Sequence, residues 1–183
     1  MKSFSDSLLV QNYLDFREPK YFDELYMRYA NKVFYKSYSI LNDRIKAEDA
    51  TQDIFMKILL NLSKFTGKSS FSTWLYSITY NYCIDEIRRL KKSRIISVDD
   101  DYGFDIEDEV DDLGIHEEDA IALRSTLDVI DETDRILLLM KYQDNMMLRD
   151  IAETLKLSES AVKMRLQRAK ARFKKKYLMF RKL

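Results

Sequence analysis

The sequence predicts an all-α protein: two small helical domains joined by an acidic, flexible linker. Three observations predict it. Glycine occurs only three times in 183 residues (Gly67, Gly103, Gly114) and proline once (Pro19). An all-β sandwich or barrel needs many tight turns, and these residues supply them. Apolar residues also recur at helical spacing through several long segments. Finally, the zero net charge conceals a segregation. Residues 1–94 hold 16 basic and 11 acidic side chains, residues 95–119 hold none basic and 12 acidic, and residues 120–183 hold 15 basic and 8 acidic. The chain therefore divides as domain 1–94, linker 95–119 and domain 120–183. The linker contains two of the three glycines and few large apolar residues. Such a segment buries too little surface to offset its ordering entropy.

Residues 1–20 suggest no element. Residues 21–41 place Leu25, Tyr26, Tyr29, Val33, Phe34 and Ile40 at helical spacing. From Ala47 to Leu62, Ile54, Phe55, Ile58, Leu59 and Leu62 form one apolar stripe, with Asp49, Gln52, Asp53 and Met56 on another face. The polar loop SKFTGKSSFS follows. The next helix, TWLYSITYNYCIDEIRRLKKS, sets Trp74, Leu75, Ile78 and Tyr82 on one side, and Tyr76, Tyr80, Ile84 and Ile87 on a second. Ser77, Asn81, Asp85 and Arg88 fill the gap, and Asp85 is expected to pair with Arg88 or Arg89. This helix ends in RRLKK, where its dipole favours cations. After the acidic stretch, ALRSTLDVIDETDRILLLMKYQDN predicts one or two helices. The ending LRDIAETLKLSESAVKMRLQRAKARFKKKY predicts helix, short turn, helix.

Several function classes are excluded. The single cysteine, Cys83, allows no intramolecular disulfide, and with the single histidine, His116, it allows no Cys/His zinc cage. No apolar run is long enough to span a membrane, and the N-terminus has no apolar block followed by a small-residue cleavage site. A reduced, cytoplasmic setting is expected. There is no Gly-rich phosphate loop, nucleophile elbow or HExxH, so no enzymatic role, cofactor or metal is expected. The twelve linker carboxylates read as a solvated run.

The C-terminal helix pair carries the strongest signal. A helix-turn-helix needs a small residue where the helices approach, and Ala152 supplies it. Val162, ten positions on, holds the crossing. Ser158 is a suitable N-cap for the second helix, with Ala161 at N3 and Val162, Leu166 and Ala169 facing inward. Lys163, Met164, Gln167 and Arg168 face outward. Arg and Lys suit guanine edges in the major groove and Gln suits adenine. An ordinary helical hairpin with a solvated basic face fits the bare amphipathic pattern as well. The basic excess from Lys163 to Lys182 favours DNA.

Three separate stretches, AEDATQDIFMKI, FSTWLYSITYNYCIDEIRR and LRDIAETLKLSESAVKMRLQRAKARF, resemble the extracytoplasmic-function class of bacterial sigma factors, within the sigma-70 family. The resemblance covers about residues 20–94 and 120–176, and the order and spacing of the motifs make it specific. It implies a promoter-specificity subunit without catalytic chemistry: a region 2 helical bundle and a region 4 helix-turn-helix. The implied partners are core RNA polymerase (the clamp of its largest subunit and the flap of its second-largest), promoter DNA and an anti-sigma factor, with no membrane insertion. By this resemblance, Asp49, Gln52, Asp53, Phe55 and Lys57 dock on the clamp, although a solvated helix face would look the same from spacing alone. The loop Lys64, Phe65, Thr66, Gly67, Lys68, Ser69, Ser70 captures a flipped base of the −10 element, a task that glycine, hydroxyls and lysines suit. Asn81, Arg88, Arg89 and Lys92 line the melted strand, while Trp74 and Tyr82 fit the core better. Lys163, Met164, Gln167 and Arg168 read the −35 element, with Arg165 and Arg172 on phosphates.

Three departures from the family pattern stand out. Lys156 replaces the usual turn glycine, so a lysine must turn left-handed or the turn must differ. Met147 stands where Ser or Thr often caps the first helix, and Met164 where a small hydroxyl residue is common. For the acidic linker, three roles remain open. It can thread the nascent-RNA path, fold back on the basic DNA-reading surfaces, or serve as a solubilising spacer. Two rival functions also remain: a stand-alone helix-turn-helix regulator, and a helical adaptor that imitates a sigma factor.

Overall fold

A computed structural model describes residues 4–93 and 117–181, without the side chains of 91–93 and 117–121. The chain divides into two compact units, residues 1–96 and 97–183. Every described element is helical.

The first unit opens with a helix that the sequence did not suggest, Asp6–Phe16 (α1). Ser5 caps it, accepting the Leu8 N–H at 3.3 Å, and Asp6 adds a negative charge to the first turn. Leu9 and Val10 are buried. Arg17 terminates α1 in the left-handed region, and Pro19 starts the next helix at its first turn, where no N–H is needed. That helix, Pro19–Leu41 (α2), buries Leu25, Tyr29, Val33 and Ile40. The Asp6 carboxylate accepts hydrogen bonds from Arg28 Nη1 at 2.8 Å and from the Tyr29 hydroxyl at 2.5 Å, pinning α1 to α2. Burial and this carboxylate together raise the Tyr29 phenol well above its usual range.

Helix Arg44–Asn61 (α3) is capped by Asp43, whose carboxylate accepts the Lys46 N–H at 3.1 Å. Its apolar stripe Ile54, Phe55 and Ile58 is buried as the spacing predicts. A short 3-10 turn, Leu62–Lys64, leads into the loop before helix Phe71–Ser93 (α4). The shared core joins Leu25, Val33, Ile54, Ile58, Phe71 and Leu75 from three helices and Leu62 from the 3-10 turn, with Leu9 and Val10 of α1. At about 25 cal/mol per Å² of apolar area removed from water, such side chains supply most of the driving force.

The second unit contains helix Glu117–Val129 (α5), helix Glu132–Leu138 (α6), a π-helical turn Leu139–Gln143, helix Leu148–Leu155 (α7) and helix Glu159–Phe180 (α8). Helix α5 begins at residue 117, inside the stretch assigned to the linker. The rest of the acidic segment, residues 95–116 with His116, lies outside the described residues. Asp131 caps α6 through the Thr133 N–H at 2.8 Å. The Asp134 carboxylate then receives both Nε and Nη2 of Arg172, at 2.5 and 2.7 Å, tying α6 to α8. Ile130, Leu138, Ala169 and Phe173 pack beside this pair.

The turn between α7 and α8 settles the first departure. Lys156 is left-handed, with φ 56° and ψ 46°. Its N–H bonds the Glu153 carbonyl at 3.3 Å, and the Leu157 N–H bonds the Ala152 carbonyl at 2.9 Å. These two bonds make a Schellman motif with lysine at the position glycine usually takes. Met147 provides no side-chain cap for α7, whereas Ser158 caps α8 through the Ala161 N–H at 3.2 Å.

Candidate functional site

Three exposed surfaces gather the residues singled out from the sequence. The first is the outer face of α3. Asp49, Gln52, Asp53 and Lys57 are all exposed, because the apolar stripe turns the opposite side of the helix to the core. Tyr82 of α4 donates its hydroxyl to Asp53 Oδ2 at 2.6 Å, and Lys57 Nζ sits 4.7 Å from the centre of the same ring. Partial burial and the Asp53 carboxylate push the Tyr82 phenol above its usual range. An open groove of about 620 Å³ lies alongside, lined by Asp43, Lys46, Asp49, Gln52 and Asp53 from the α3 side and by Tyr82, Glu86 and Arg89 from α4. Phe55 does not join this surface. It is 4% exposed, and its ring lies edge-on to Phe22 and Tyr26. Its apolar area is worth more against the core than in water, so it supports α3 from beneath.

The second surface is the loop between α3 and α4. Lys64, Thr66 and Lys68 are exposed. Gly67 has φ +73°, and a Cβ there would meet nothing within 4 Å. Backbone conformation, and not space, demands glycine. Phe65 is half-buried, with its ring centre 5.6 Å from Phe71 and 5.5 Å from Trp74. It anchors the loop to the core and does not offer an open stacking face. Ser69 is half-buried. Ser70 caps α4, its Oγ accepting the Thr73 N–H at 3.1 Å, so its hydroxyl is engaged in the fold. Along α4, Asn81 and Arg88 are exposed on one face, and Arg88 pairs with Asp85 at 3.4 Å. Arg89 bonds Glu86 at 2.7 Å, which raises the guanidinium further, and turns toward the groove. The Lys92 side chain lies outside the described residues.

The third surface is the N-terminal half of α8. Lys163, Met164 and Arg165 are exposed, and Gln167 and Arg168 are half-buried. Ile151, Ala152, Val162 and Leu166 are buried beneath them and fix the crossing of α7 and α8. Asp134 holds one edge of the Arg172 guanidinium, Nε and Nη2, so that edge serves the fold, while the side chain stays half-exposed. That contact also raises the Arg172 guanidinium.

The model of Sigma-70 region 2 matches residues 25–93, and the model of Sigma-70 region 4 matches residues 120–173. The chain is a member of the sigma-70 family of sigma factors. Its relatives place it among the extracytoplasmic-function type. It is 28% identical over 156 residues to the ECF RNA polymerase sigma factor SigW of Bacillus subtilis, covering 80% of this chain and 83% of that one. It is 26% identical over 147 residues to SigX of the same organism, covering 78% and 76%. Two solved structures share the fold. One is CnrH in complex with the cytosolic domain of CnrY, with TM-score 0.60 and 21% identity, covering 92% of this chain and 94% of that one. The other is the Bartonella quintana sigma factor RpoE in complex with the anti-sigma factor NepR, with TM-score 0.58 and 19% identity, covering 85% and 95%.

All three surfaces of this sigma factor fall within the two matched regions. Among the described residues, no group of His, Cys, Asp and Glu could hold a metal ion, and no helix is long and apolar enough to cross a membrane. The Tyr82 ring packs against the core, as its helical face predicts, but sequence reasoning missed that its hydroxyl is a surface partner. Ring spacing alone does not show that its hydroxyl emerges beside Asp53. It also missed α1, although Ser5 before Asp6 and Leu8, and Pro19 after Arg17, were available as start and stop signals.

Proposed function

We propose that this sigma factor acts in the cytoplasm as the promoter-specificity subunit of bacterial RNA polymerase, with three residue-level tasks. The α3 face carrying Asp49, Gln52, Asp53 and Lys57 docks on the clamp of core polymerase. The loop around Lys64, Thr66, Gly67 and Lys68, with Asn81 and Arg88 of α4, engages the melted −10 strand. Lys163, Met164, Gln167 and Arg168 of α8 read the −35 element in the major groove, and Arg165 adds a phosphate contact. In domain terms, residues 1–94 bind core enzyme and open DNA, residues 95–119 form the linker, and residues 120–183 fix register on duplex DNA and meet the polymerase flap. The protein carries no catalytic chemistry of its own.

The observation that carries this reading is the separation of tasks by surface. Asp49, Gln52, Asp53 and Lys57 are exposed on one unit and Lys163, Met164 and Arg165 on the other, each set backed by its own buried core. Of the two solved relatives, RpoE is in complex with the anti-sigma factor NepR, and CnrH is in complex with the cytosolic domain of CnrY. They support extending the proposal to an anti-sigma partner for this chain.

Run-off transcription with purified core polymerase tests the proposal. Adding the chain should direct initiation to discrete start points on a genomic template library. Lys163→Ala with Arg168→Ala should abolish selection while leaving association with core enzyme intact. Unchanged start-site selection in that double variant, or no response of core enzyme to the wild-type chain, refutes it.

A further inference from the structure

The docking carboxylate on α3 does not stand alone. Tyr82, from α4, donates its O–H to Asp53 Oδ2 at 2.6 Å, and its ring lies 4.7 Å from Lys57 Nζ. One half-buried side chain thus holds both an anion and a cation of an otherwise solvated helix face. Asp53 and Lys57 are four residues apart on α3 and exposed. Without Tyr82, each would sample several rotamers, and a partner would have to immobilise them on binding. On α4, Tyr82, Glu86 and Arg89 recur at i, i+4 and i+7, so the wall of the groove beside Asp53 continues the same surface.

We propose that Tyr82 is a positioning residue for polymerase docking, fixing the Asp53 carboxylate and the Lys57 ammonium in the arrangement core RNA polymerase meets. This rests on the reading of α3 as the docking face. The hydroxyl carries the effect. The aromatic ring alone would still pack and still attract Lys57, but it could not orient Asp53. A charge-assisted hydrogen bond between side chains 29 residues apart is also specific to this pairing of α3 with α4.

The test titrates core polymerase with the full chain and follows both direct association and run-off transcript. In Tyr82→Phe, the half-saturating concentration should rise about 5- to 10-fold, while the transcript plateau at saturation stays at the wild-type value and melting falls by no more than the loss of one exposed hydrogen bond costs. Asp53→Ala should give a larger rise, since it removes both the docking carboxylate and the acceptor of the Tyr82 hydroxyl. The double variant should be no worse than Asp53→Ala alone, because without the carboxylate the hydroxyl has nothing to orient. A merely structural role would lower melting and leave the half-saturating concentration unchanged, and a role in DNA binding would lower the plateau. Either of those outcomes overturns the proposal, as does a Tyr82→Phe titration that overlays wild type, or losses that multiply in the double variant. If the wild-type chain itself fails to associate with core enzyme, the docking reading falls and this proposal falls with it. If wild type binds and Tyr82→Phe binds equally, only this proposal falls.

Discussion

Arg172→Ala is the sharpest test of how α8 spends its positive charge. By motif position, Arg172 belongs on a DNA phosphate; in the structure it clamps Asp134 with two hydrogen bonds of 2.5 and 2.7 Å. The two side chains differ in exposure, 5% for Asp134 and 51% for Arg172. Removing one partner of a fully buried pair costs about 3–5 kcal/mol, mostly because the other charge stays buried and unpaired. Here truncating Arg172 leaves the shielded carboxylate, and water entering from the exposed side reduces the cost to about 2–3 kcal/mol. The reverse change, Asp134→Ala, leaves a half-exposed guanidinium that can hydrate. It should cost less, about 1 kcal/mol, including the loss of a negative charge near the α6 N-terminus.

Amide hydrogen exchange on the full-length chain measures this directly. Arg172→Ala should lower protection in α6 and α8 by roughly 30- to 150-fold, the factor that corresponds to about 2–3 kcal/mol at 25 °C. Protection in α1 to α4 should not change. Asp134→Ala should lower it several-fold less. If Arg172 instead spends its charge on DNA, Arg172→Ala will leave exchange unchanged and reduce the salt slope of −35 binding by about one. That result would refute the assignment of Arg172 to the fold.

Lys156→Gly should stabilise the α7–α8 turn by about 0.5–1 kcal/mol, because glycine takes the left-handed position without the Cβ penalty; denaturant unfolding checks it through a raised midpoint at constant m. Gly67→Ala should do the reverse, costing about 1 kcal/mol of local loop order. Since its Cβ would clash with nothing, the global melting temperature should barely move, while the −10 strand capture proposed for this loop should weaken. Burial pushes the Cys83 thiol up to about 11, so native iodoacetamide labelling at pH 8 should run about a hundredfold slower than for a thiol in the unfolded chain. The sign of the linkage follows. The folded thiol holds its proton to higher pH than the unfolded one, so unfolding above about pH 9 releases a proton and stability falls as pH rises. Equal labelling rates in native and urea-unfolded protein would contradict the burial.

Much of the fold was legible because helical periodicity survives in the sequence wherever one face is buried. Ile54 and Ile58, or Val162 and Leu166, mark their inner faces by spacing alone, and all four are buried. One cap was legible for the same local reason: Ser158 stands three residues before the N–H it receives. What spacing does not encode is pairing across elements. Nothing local in α8 says that Arg172 meets an aspartate 38 residues earlier. Nothing in α4 says that the hydroxyl of Tyr82 surfaces beside Asp53. Helix α1 packs Leu9, Val10, Tyr13 and Leu14 into the core, yet these cluster in one short segment, and its further tie to α2 comes from Asp6, a charged residue that reads as solvent-exposed.

The basic surplus of residues 120–183 is therefore not a count of DNA contacts. Arg172 is committed to Asp134, and Lys176 donates to the Val129 carbonyl at 2.5 Å, so two cations of the α8 tail hold α8 against α5 and α6. On the proposed −35 reading, the cations that meet duplex DNA, Lys163, Arg165 and Arg168, lie within the first three turns of α8, beyond the Ser158 cap and the Lys156 turn. That placement matters physically. A recognition helix contacts bases from its N-terminal half, and only there does the α7–α8 crossing, locked by Ala152 and Val162, fix its angle. Charge further along α8 is free of that geometric demand and can serve the fold. The same residue type at two ends of one helix thus does different work, and the division follows from where the buried contacts rigidify the helix.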